Sequence, residues 1–162
     1  MMKNQNNQPM LWLFVLLSVL ITAFVFGNSL KSGDASMAES DSVVAFLQPL
    51  LDRLPWLADT NYSVLIRKLA HFAEFFALGF FYGGTMCLML QKNGKPRYFS
   101  VLFSVLFVAV IDEYIQSFTG RTSSVKDVLI DFSGALTGLG IVFGLFWLIA
   151  CVKSRKKKSN VP

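Results

Sequence analysis

Four stretches of this chain are long and apolar enough to cross a lipid bilayer, and no other feature limits its fold as strongly. Because the hydrocarbon core is about 30 Å thick and a helix rises about 1.5 Å per residue, a crossing takes roughly 20 apolar residues. The predicted spans cover residues 10–27, 65–90, 98–118 and 131–152. Hydrophobic residues make up 54% of the chain and charged residues only 15%, so lipid is the natural solvent for most of it. The sequence predicts an all-α, polytopic integral membrane protein with four transmembrane helices.

The lysine and arginine residues predict the orientation of these spans. With both termini in the cytoplasm, the cytoplasmic segments hold nine of the 15 basic residues and the outer segments hold six, which agrees with the positive-inside rule. The first span reads as a retained helix, because its apolar run is long for a secretory signal and no Ala-x-Ala site follows it. We therefore predict a cytoplasmic tail over residues 1–9, one membrane domain over residues 10–152 and a basic cytoplasmic tail over residues 153–162.

The segment between the first and second spans is richer in Ser, Asp and Gly than the spans and has a helical pattern of its own. Ser36 and Glu39 have the spacing of a capping box, and Pro55 marks the place where a helix would stop. Between them, apolar residues recur at intervals of three and four, namely Val43, Val44, Leu47, Leu50, Leu51 and Leu54. This pattern predicts an amphipathic helix that lies on the outer membrane face.

Two of the spans are too short unless they carry polar residues into the membrane. Residues 99–111 form an uninterrupted apolar run of 13, which makes about 20 Å of helix and falls about 10 Å short of a crossing. This helix must therefore continue past the polar residues Asp112, Glu113 and Gln116. The second span is also short, since residues 75–90 make only about 24 Å of helix, so we expect His71 and Glu74 to lie below the outer headgroups.

Topology brings the polar ends of three spans to one membrane face. The second and fourth spans begin on the outside and the third ends there, so their polar residues become neighbours. Gly134 and Gly138 form a small-xxx-small pair on the helix stripe that carries Asp131, so this acid should point into the bundle. Charged residues at membrane depth are costly and usually functional. The predicted binding site comprises Lys68, His71, Glu74, Asp112, Glu113, Gln116, Arg121, Asp127 and Asp131.

The order and spacing of these residues match a known pattern. The second span opens with Arg67-Lys-Leu-Ala-His71-Phe-Ala-Glu74-Phe-Phe-Ala-Leu. The later segment runs from Asp112-Glu113-Tyr-Ile-Gln116 through Gly120-Arg121 to Asp127-Val-Leu-Ile-Asp131-Phe-Ser-Gly134. With Asn28-Ser-Leu-Lys-Ser-Gly after the first span, these motifs resemble the VanZ-like family of small bacterial membrane proteins. This chain differs from the family pattern in having Asp131 where Asn is common.

The resemblance implies a location in the bacterial cell membrane and a contribution to resistance against the glycopeptide teicoplanin. From the residues themselves, mixed charge in an outward-facing pocket of low dielectric favours binding of a polar or charged group at the outer leaflet. The expected partners are membrane lipids, with a lipid-linked cell-wall component or a glycopeptide as the ligand. The alternative is a membrane-embedded hydrolase or transferase on a lipid-linked substrate, with His71 as acid or base and Glu74 or Asp112 orienting it.

Each of these residues also has a purely structural interpretation. The basic residues nearly balance the acids, so ion pairs alone would serve to lock the helices together. Asp127 lies three residues after Ser124 and suits a helix cap, while Arg67 and Lys68 are long enough to reach the headgroups. His71 would then be a hydrogen-bonded strut between helix ends.

No motif in the chain indicates a cofactor or a metal, and we predict neither. His71, Glu74, Glu113 and Asp131 would offer one nitrogen and several oxygens. However, no spacing such as His-Glu-x-x-His supports a metal site. Ser123 or Ser124 with His71 as base has the residue types of a serine nucleophile without its elbow motif.

Two further features concern macromolecular partners. Gly140 and Gly144 form a second small-xxx-small pair, which suits contact between copies in a homo-oligomer. The basic run at the C-terminus is not accompanied by an aromatic-rich or folded binding module, so we predict no nucleic-acid partner.

Overall fold

The fold is a bundle of five helices, and four of them are long and apolar enough to span a membrane. The computed structural model describes residues 7–53, 60–95 and 97–159, and each regular element in these ranges is a helix. The helices are α1 (Gln8–Ser29), α2 (Gly33–Leu51), α3 (Tyr62–Asn93), α4 (Tyr98–Ser117) and α5 (Val125–Ser159). The candidate spans are α1, α3, α4 and α5. The predicted all-α class, with four spans and a shorter helix after the first, is confirmed.

Helix α3 lies at the centre of the bundle and packs against all four other helices. Its most extensive contact is with α5, where the two backbones meet directly. A Cβ on Gly138 would overlap the carbonyl oxygen of Phe76, and a Cβ on Gly79 would overlap the backbone of Ala135. Gly134 lies against the α3 backbone in the same way. The small-xxx-small pair predicted to mediate close helix contact is confirmed in that role.

The apolar side chains divide into a core and an outer surface. The core between the helices is built from Val25, Phe75, Leu78, Val105, Val108, Ala109, Ala135 and Leu139. On the outer faces, large residues such as Trp12, Phe103 and Trp147 are exposed in the isolated chain. Exposure of this kind on a helix long enough to span is what contact with lipid tails requires.

Four pairs of polar side chains join α1 to α3 along their length. The pairs are Asn7–Gln91, Ser18–Thr85, Thr22–Tyr82 and Asn28–Glu74, with donor–acceptor distances of 2.9, 3.3, 3.1 and 2.7 Å. Hydrogen bonds between spanning helices set their register, because lipid offers these groups no other partner. The last pair holds the end of α1 beside the polar part of α3.

Helix α2 begins one turn earlier than the sequence pattern indicated. The expected capping box of Ser36 and Glu39 does not form. Instead, Ser32 is the N-cap, and its side chain accepts a hydrogen bond from the Ala35 N–H at 3.2 Å. Glu39 pairs with Lys31, with Nζ and Oε1 2.8 Å apart.

A tether to the loop between α4 and α5 explains this early start. The Gly33 N–H donates to the Thr119 carbonyl oxygen at 3.1 Å, which holds the chain in place where α2 begins. A Cβ at position 33 would lie 3.3 Å from the Gly120 carbonyl oxygen, so the approach is close. Helix α2 ends at Leu51, earlier than the expected stop at Pro55. Leu54 and Pro55 lie outside the described residues, as do residues 1–6 and 160–162 of the two predicted tails.

Helix α5 begins where the sequence indicated and brings its acids to the same end of the bundle. The Ser124 hydroxyl accepts a hydrogen bond from the Lys126 N–H at 3.1 Å, and Asp127 lies in the first helical turn. The preceding loop turns at Gly120, whose φ of 73° is a conformation that favours glycine. The helix then continues without a break, so Asp131 lies in its second turn.

Candidate functional site

The polar residues predicted from the sequence meet at one end of the bundle. They come from the first four turns of α3, the last two turns of α4, the loop that follows, and the first two turns of α5. Asp112, Glu113, Gln116 and Asp131 are buried there, each at most 5% exposed. Burial of three carboxyl groups together is costly, so it indicates a function in addition to packing.

Asp112 has no exposed surface and is held at both oxygens. The Ser29 hydroxyl, at the end of α1, donates to Oδ1. The Gln116 side-chain amide donates to Oδ2 at 2.5 Å, as their spacing of four residues on one face of α4 allows. Ser29 was not predicted as a site residue, although the polar pair that ends the first span, Asn28 and Ser29, was visible in the sequence.

Glu74 and Glu113 each accept one hydrogen bond at a single oxygen. The Asn28 amide donates to Glu74 Oε1 at 2.7 Å. Asn28 is therefore, like Ser29, a site residue that was not predicted from the sequence. The Ser124 N–H donates to Glu113 Oε1 at 2.6 Å, which joins the end of α4 to the start of α5. The Oε2 atoms of both acids are buried without a hydrogen bond from the described residues.

His71, the only histidine in the chain, lies between a cation and two carboxyl groups. Arg121 Nη2 is 2.9 Å from His71 Nε2. On the other side of the ring, Nδ1 is 3.9 Å from Asp112 Oδ2 and 3.9 Å from Asp131 Oδ1. A guanidinium can only donate, so Nε2 accepts and the hydrogen of the neutral imidazole lies on Nδ1, facing the acids. Contact with Arg121 therefore selects one tautomer.

Asp131 is the least satisfied of the buried acids. It is 1% exposed, and neither of its oxygens receives a hydrogen bond within the described part of the chain. Its burial agrees with the prediction that the stripe carrying Gly134 and Gly138 turns this acid into the bundle. A buried carboxyl group without a donor has a large unmet demand for a proton or a cation.

The basic residues at this end fall into two kinds. Lys68 Nζ lies 3.5 Å from Asp127 Oδ1, a partly exposed pair of the kind that contributes about 1 kcal/mol or less. Arg67 and Arg121 make no ion pair with a carboxylate among the described residues. Burial lowers the pKa of Arg121, and the nearby charge of Arg67 lowers it further, although a guanidinium stays charged. Two such groups close together form a site that favours an anion.

Two clefts open at this end and share one wall. Together with the open solvent at its mouth, the first cleft encloses about 390 Å³ of space and the second about 570 Å³. Arg67, His71 and Arg121 line both of them. The first is further lined by Lys68, Glu113, Gln116, Thr122, Asp127, Ile130 and Asp131. The second lies beside α2 and is further lined by polar residues that include Asn28, Lys31, Glu39 and Glu74.

The structure brings all nine predicted site residues to this end, with different positions in it. Seven line the first cleft, Glu74 lines the second, and Asp112 lies buried behind His71. Asp127 lies in the first turn of α5, lines the first cleft and pairs with Lys68, while the Ser124 N–H donates to Glu113 and not to Asp127.

The structure bears on two chemical alternatives that the sequence left open, a serine nucleophile and a metal site. Neither Ser123 nor Ser124 hydrogen-bonds to His71 in the described structure, and the Ser124 hydroxyl caps α5, so nothing supports a serine nucleophile. Ligand atoms of His71, Asp112 and Asp131 lie within 4.8 Å of one another. This group shares only two members with the four residues that composition alone offered for a metal.

Comparison with known proteins agrees with this architecture. No curated protein and no solved structure matches the chain. The family model described as VanZ/LLP1 matches residues 14–149, a range that contains the whole candidate site and most of every span. This four-span membrane protein therefore belongs to the VanZ/LLP1 family.

Proposed function

We propose that this protein binds the phosphate-bearing headgroup of an envelope lipid or a lipid-linked cell-wall component at the outer leaflet of a bacterial membrane. The observation that carries the proposal is the pair Arg67 and Arg121. Both line the two clefts, and neither has a carboxylate partner within the described residues, although several acids lie nearby. Guanidinium groups bind phosphate through parallel, charge-assisted hydrogen bonds, which strengthen where water is partly excluded.

A phosphate also suits the charge balance of the first cleft. Its buried acids lie deep, at Glu113 and Asp131, while Lys68 at its edge is about 40% exposed. An anion that enters from the membrane surface meets the basic groups first. The acids behind them would accept hydrogen bonds from hydroxyl or amino groups of the same headgroup.

The outward orientation of this end is part of the proposal and has a direct test. The distribution of basic residues places the loop before α5 outside and the turn between α3 and α4 inside. We expect a cysteine in Lys126→Cys to react with a membrane-impermeant maleimide in intact cells. The same reagent should label Lys92→Cys only after lysis. The reverse pattern would place the site in the cytoplasm and end the outer-leaflet proposal.

Binding itself is tested with purified protein in detergent. We expect phosphatidylglycerol and a polyprenyl phosphate to bind, and diacylglycerol, which lacks phosphate, to bind much more weakly. The better of the two phosphate lipids identifies the source of the headgroup. Arg121→Gln should weaken binding by at least about tenfold, because one charge-assisted hydrogen bond contributes about 1.5–3 kcal/mol.

The matched control for this experiment is Lys126→Gln, which removes an exposed positive charge next to the site without touching either cleft. Its affinity should stay that of the unmodified chain. Equal binding of diacylglycerol, or equal loss in both variants, would show that the clefts do not recognise phosphate. In a deletion strain, the proposed link to teicoplanin resistance requires that Lys126→Gln restore the resistance level and Arg121→Gln not restore it.

Catalysis is the second candidate function, and the surroundings of His71 favour it. Its Nδ1 faces two buried acids, while its Nε2 is covered by Arg121, a residue that lines both clefts. A phosphate that draws Arg121 away would leave the Nε2 lone pair free to act as a general base. Purified protein should then convert a lipid phosphate to a product that His71→Gln no longer forms. Absence of turnover with both phosphate lipids would argue against catalysis and leave the binding proposal standing.

A further inference from the structure

We propose that His71, Asp112 and Asp131 bind a divalent transition-metal cation, such as Zn²⁺ or Mn²⁺, at the inner end of the first cleft. The site would take one imidazole nitrogen and two carboxylate oxygens, one ligand from each of three helices. The proposal concerns these three residues alone, so it does not depend on the arginines that carry the proposed function.

The geometry of the three groups comes close to a coordination sphere. His71 Nδ1 lies 3.9 Å from an oxygen of each acid, and all three ligand atoms fall within 4.8 Å of one another. In a tetrahedral site with bonds of about 2.1 Å, ligand atoms are about 3.4 Å apart. To complete the sphere, the two distances to Nδ1 have to shorten by about half an ångström each and the distance between the carboxylate oxygens by at most about 1.4 Å, which side-chain rotation can supply.

Burial provides an independent observation. Asp131 is 1% exposed and has no hydrogen bond at either oxygen from the described residues, and His71 Nδ1 has none within the same part of the chain. Buried carboxylates in proteins are paired with a cation or bound to a metal. Here the shortest distance from Asp131 to a possible cationic partner leads to the imidazole, so a cation placed between them would give both His71 Nδ1 and Asp131 Oδ1 a partner.

The surroundings have the features of a supported metal site. Asp112 is held by Ser29 and Gln116, and outer contacts of this kind orient metal-binding carboxylates. The three ligands lie on long helices that pack against one another, which keeps the ligands together. An imidazole with carboxylates suits Zn²⁺, Mn²⁺ or Fe²⁺ better than Ca²⁺. Because His71 and Asp131 also line the first cleft, an exogenous oxygen donor can approach from that side.

Arg121 acts as a competitor for this site. In the structure it donates to His71 Nε2, which keeps the imidazole hydrogen on Nδ1. A metal at Nδ1 displaces that hydrogen to Nε2, and Nε2 then no longer accepts from Arg121. Metal uptake and the contact between Arg121 and His71 are therefore mutually exclusive.

The experiment uses the full chain, purified in detergent and treated with a chelator that is then removed. Equilibrium dialysis against Zn²⁺ or Mn²⁺, followed by elemental analysis, should give one cation per chain. Asp131→Asn should lower the affinity by at least about tenfold, the least expected for loss of a ligand. Asp34→Asn is the control, since it removes an exposed acid that lines neither cleft, and it should bind as the unmodified chain does.

The single histidine makes a second measurement possible without a variant of any ligand. In protein labelled with ¹⁵N-histidine, the metal-free spectrum should show the hydrogen on Nδ1, and added Zn²⁺ should move it to Nε2. Arg121→Gln should raise the affinity for the cation, because the competing donor is gone. The proposal is overturned if no variant changes cation binding, if Asp34→Asn and Asp131→Asn lose it equally, or if Zn²⁺ leaves the imidazole signals in place.

Discussion

Replacement of Gly138 by alanine is expected to destabilise the folded protein by about 1–3 kcal/mol, the usual range for overpacking of a tight interface. The added Cβ would overlap the carbonyl oxygen of Phe76 and come within 2.8 Å of the Phe80 nitrogen. Both are backbone atoms of α3, so no side chain can rotate away and the two helices have to separate. Thermal unfolding in detergent, followed by loss of the helical circular dichroism signal, measures the change.

Gly140 and Gly144 supply the controls on the same helix. A Cβ at either position meets no atom within 4 Å, so Gly140→Ala and Gly144→Ala should not destabilise the protein, and the higher helix propensity of alanine favours a gain of up to about 1 kcal/mol. Equal destabilisation by all three variants would show that α5 needs glycine for some reason other than contact with α3. The surface at Gly140 and Gly144 is open, but nothing in the structure tests the predicted contact between copies there. That contact stays a prediction.

Replacement of Asp131 by asparagine should have the opposite sign and stabilise the metal-free protein. We expect a gain of about 1–3 kcal/mol, the cost of a buried polar group without partners. The amide that replaces it is neutral, can donate to Asp112 Oδ2 and can accept from the His71 Nδ1 hydrogen. Unfolding of both proteins in the presence of a chelator gives the comparison.

If replacing Asp131 stabilises the fold, then Asp131 does not serve stability. That result would indicate a functional role for this residue. Asp127→Asn is the control for this stability measurement, because its partner Lys68 is partly exposed and the ion pair contributes little to stability. We expect that variant to unfold as the unmodified chain does. If Asp131→Asn were less stable than the unmodified chain, Asp131 would be a structural strut and the carboxylate would have a partner in solution.

The sequence was sufficient to predict the architecture because membrane helices obey simple constraints. Apolar length set the four spans, and the shortfall before Asp112 and after Glu74 predicted that polar residues enter the bundle. The small-xxx-small pair predicted which face of α5 packs closely. Each of these signals lies within a short stretch of the chain. Lipid allows few structures other than helices, because every backbone polar group must be paired within the protein.

The features that the sequence did not predict depend on how separate segments meet. Ser29 and Asn28 became site residues because the register of α1 against α3 places them beside Asp112 and Glu74. The spacing of residues within one helix does not show how that helix aligns with its neighbour. The N-cap of α2 moved for a similar reason: Ser32 and Ser36 are both capable caps, and the hydrogen bond from Gly33 to a distant loop decides between them.

The close packing of α5 on α3 has a consequence for the order in which the protein is made. The chain leaves the ribosome from its N-terminus, so α3 reaches the membrane well before α5 exists. Until then, Gly79 on α3 lacks the α5 backbone that packs against it. Of the two acids that face His71 in the finished structure, Asp112 is present and Asp131 is not. The site is therefore completed by α5, and a product that ends before residue 125 lacks Asp127 and Asp131 and leaves the polar residues of α3 and α4 without the helix that packs against them.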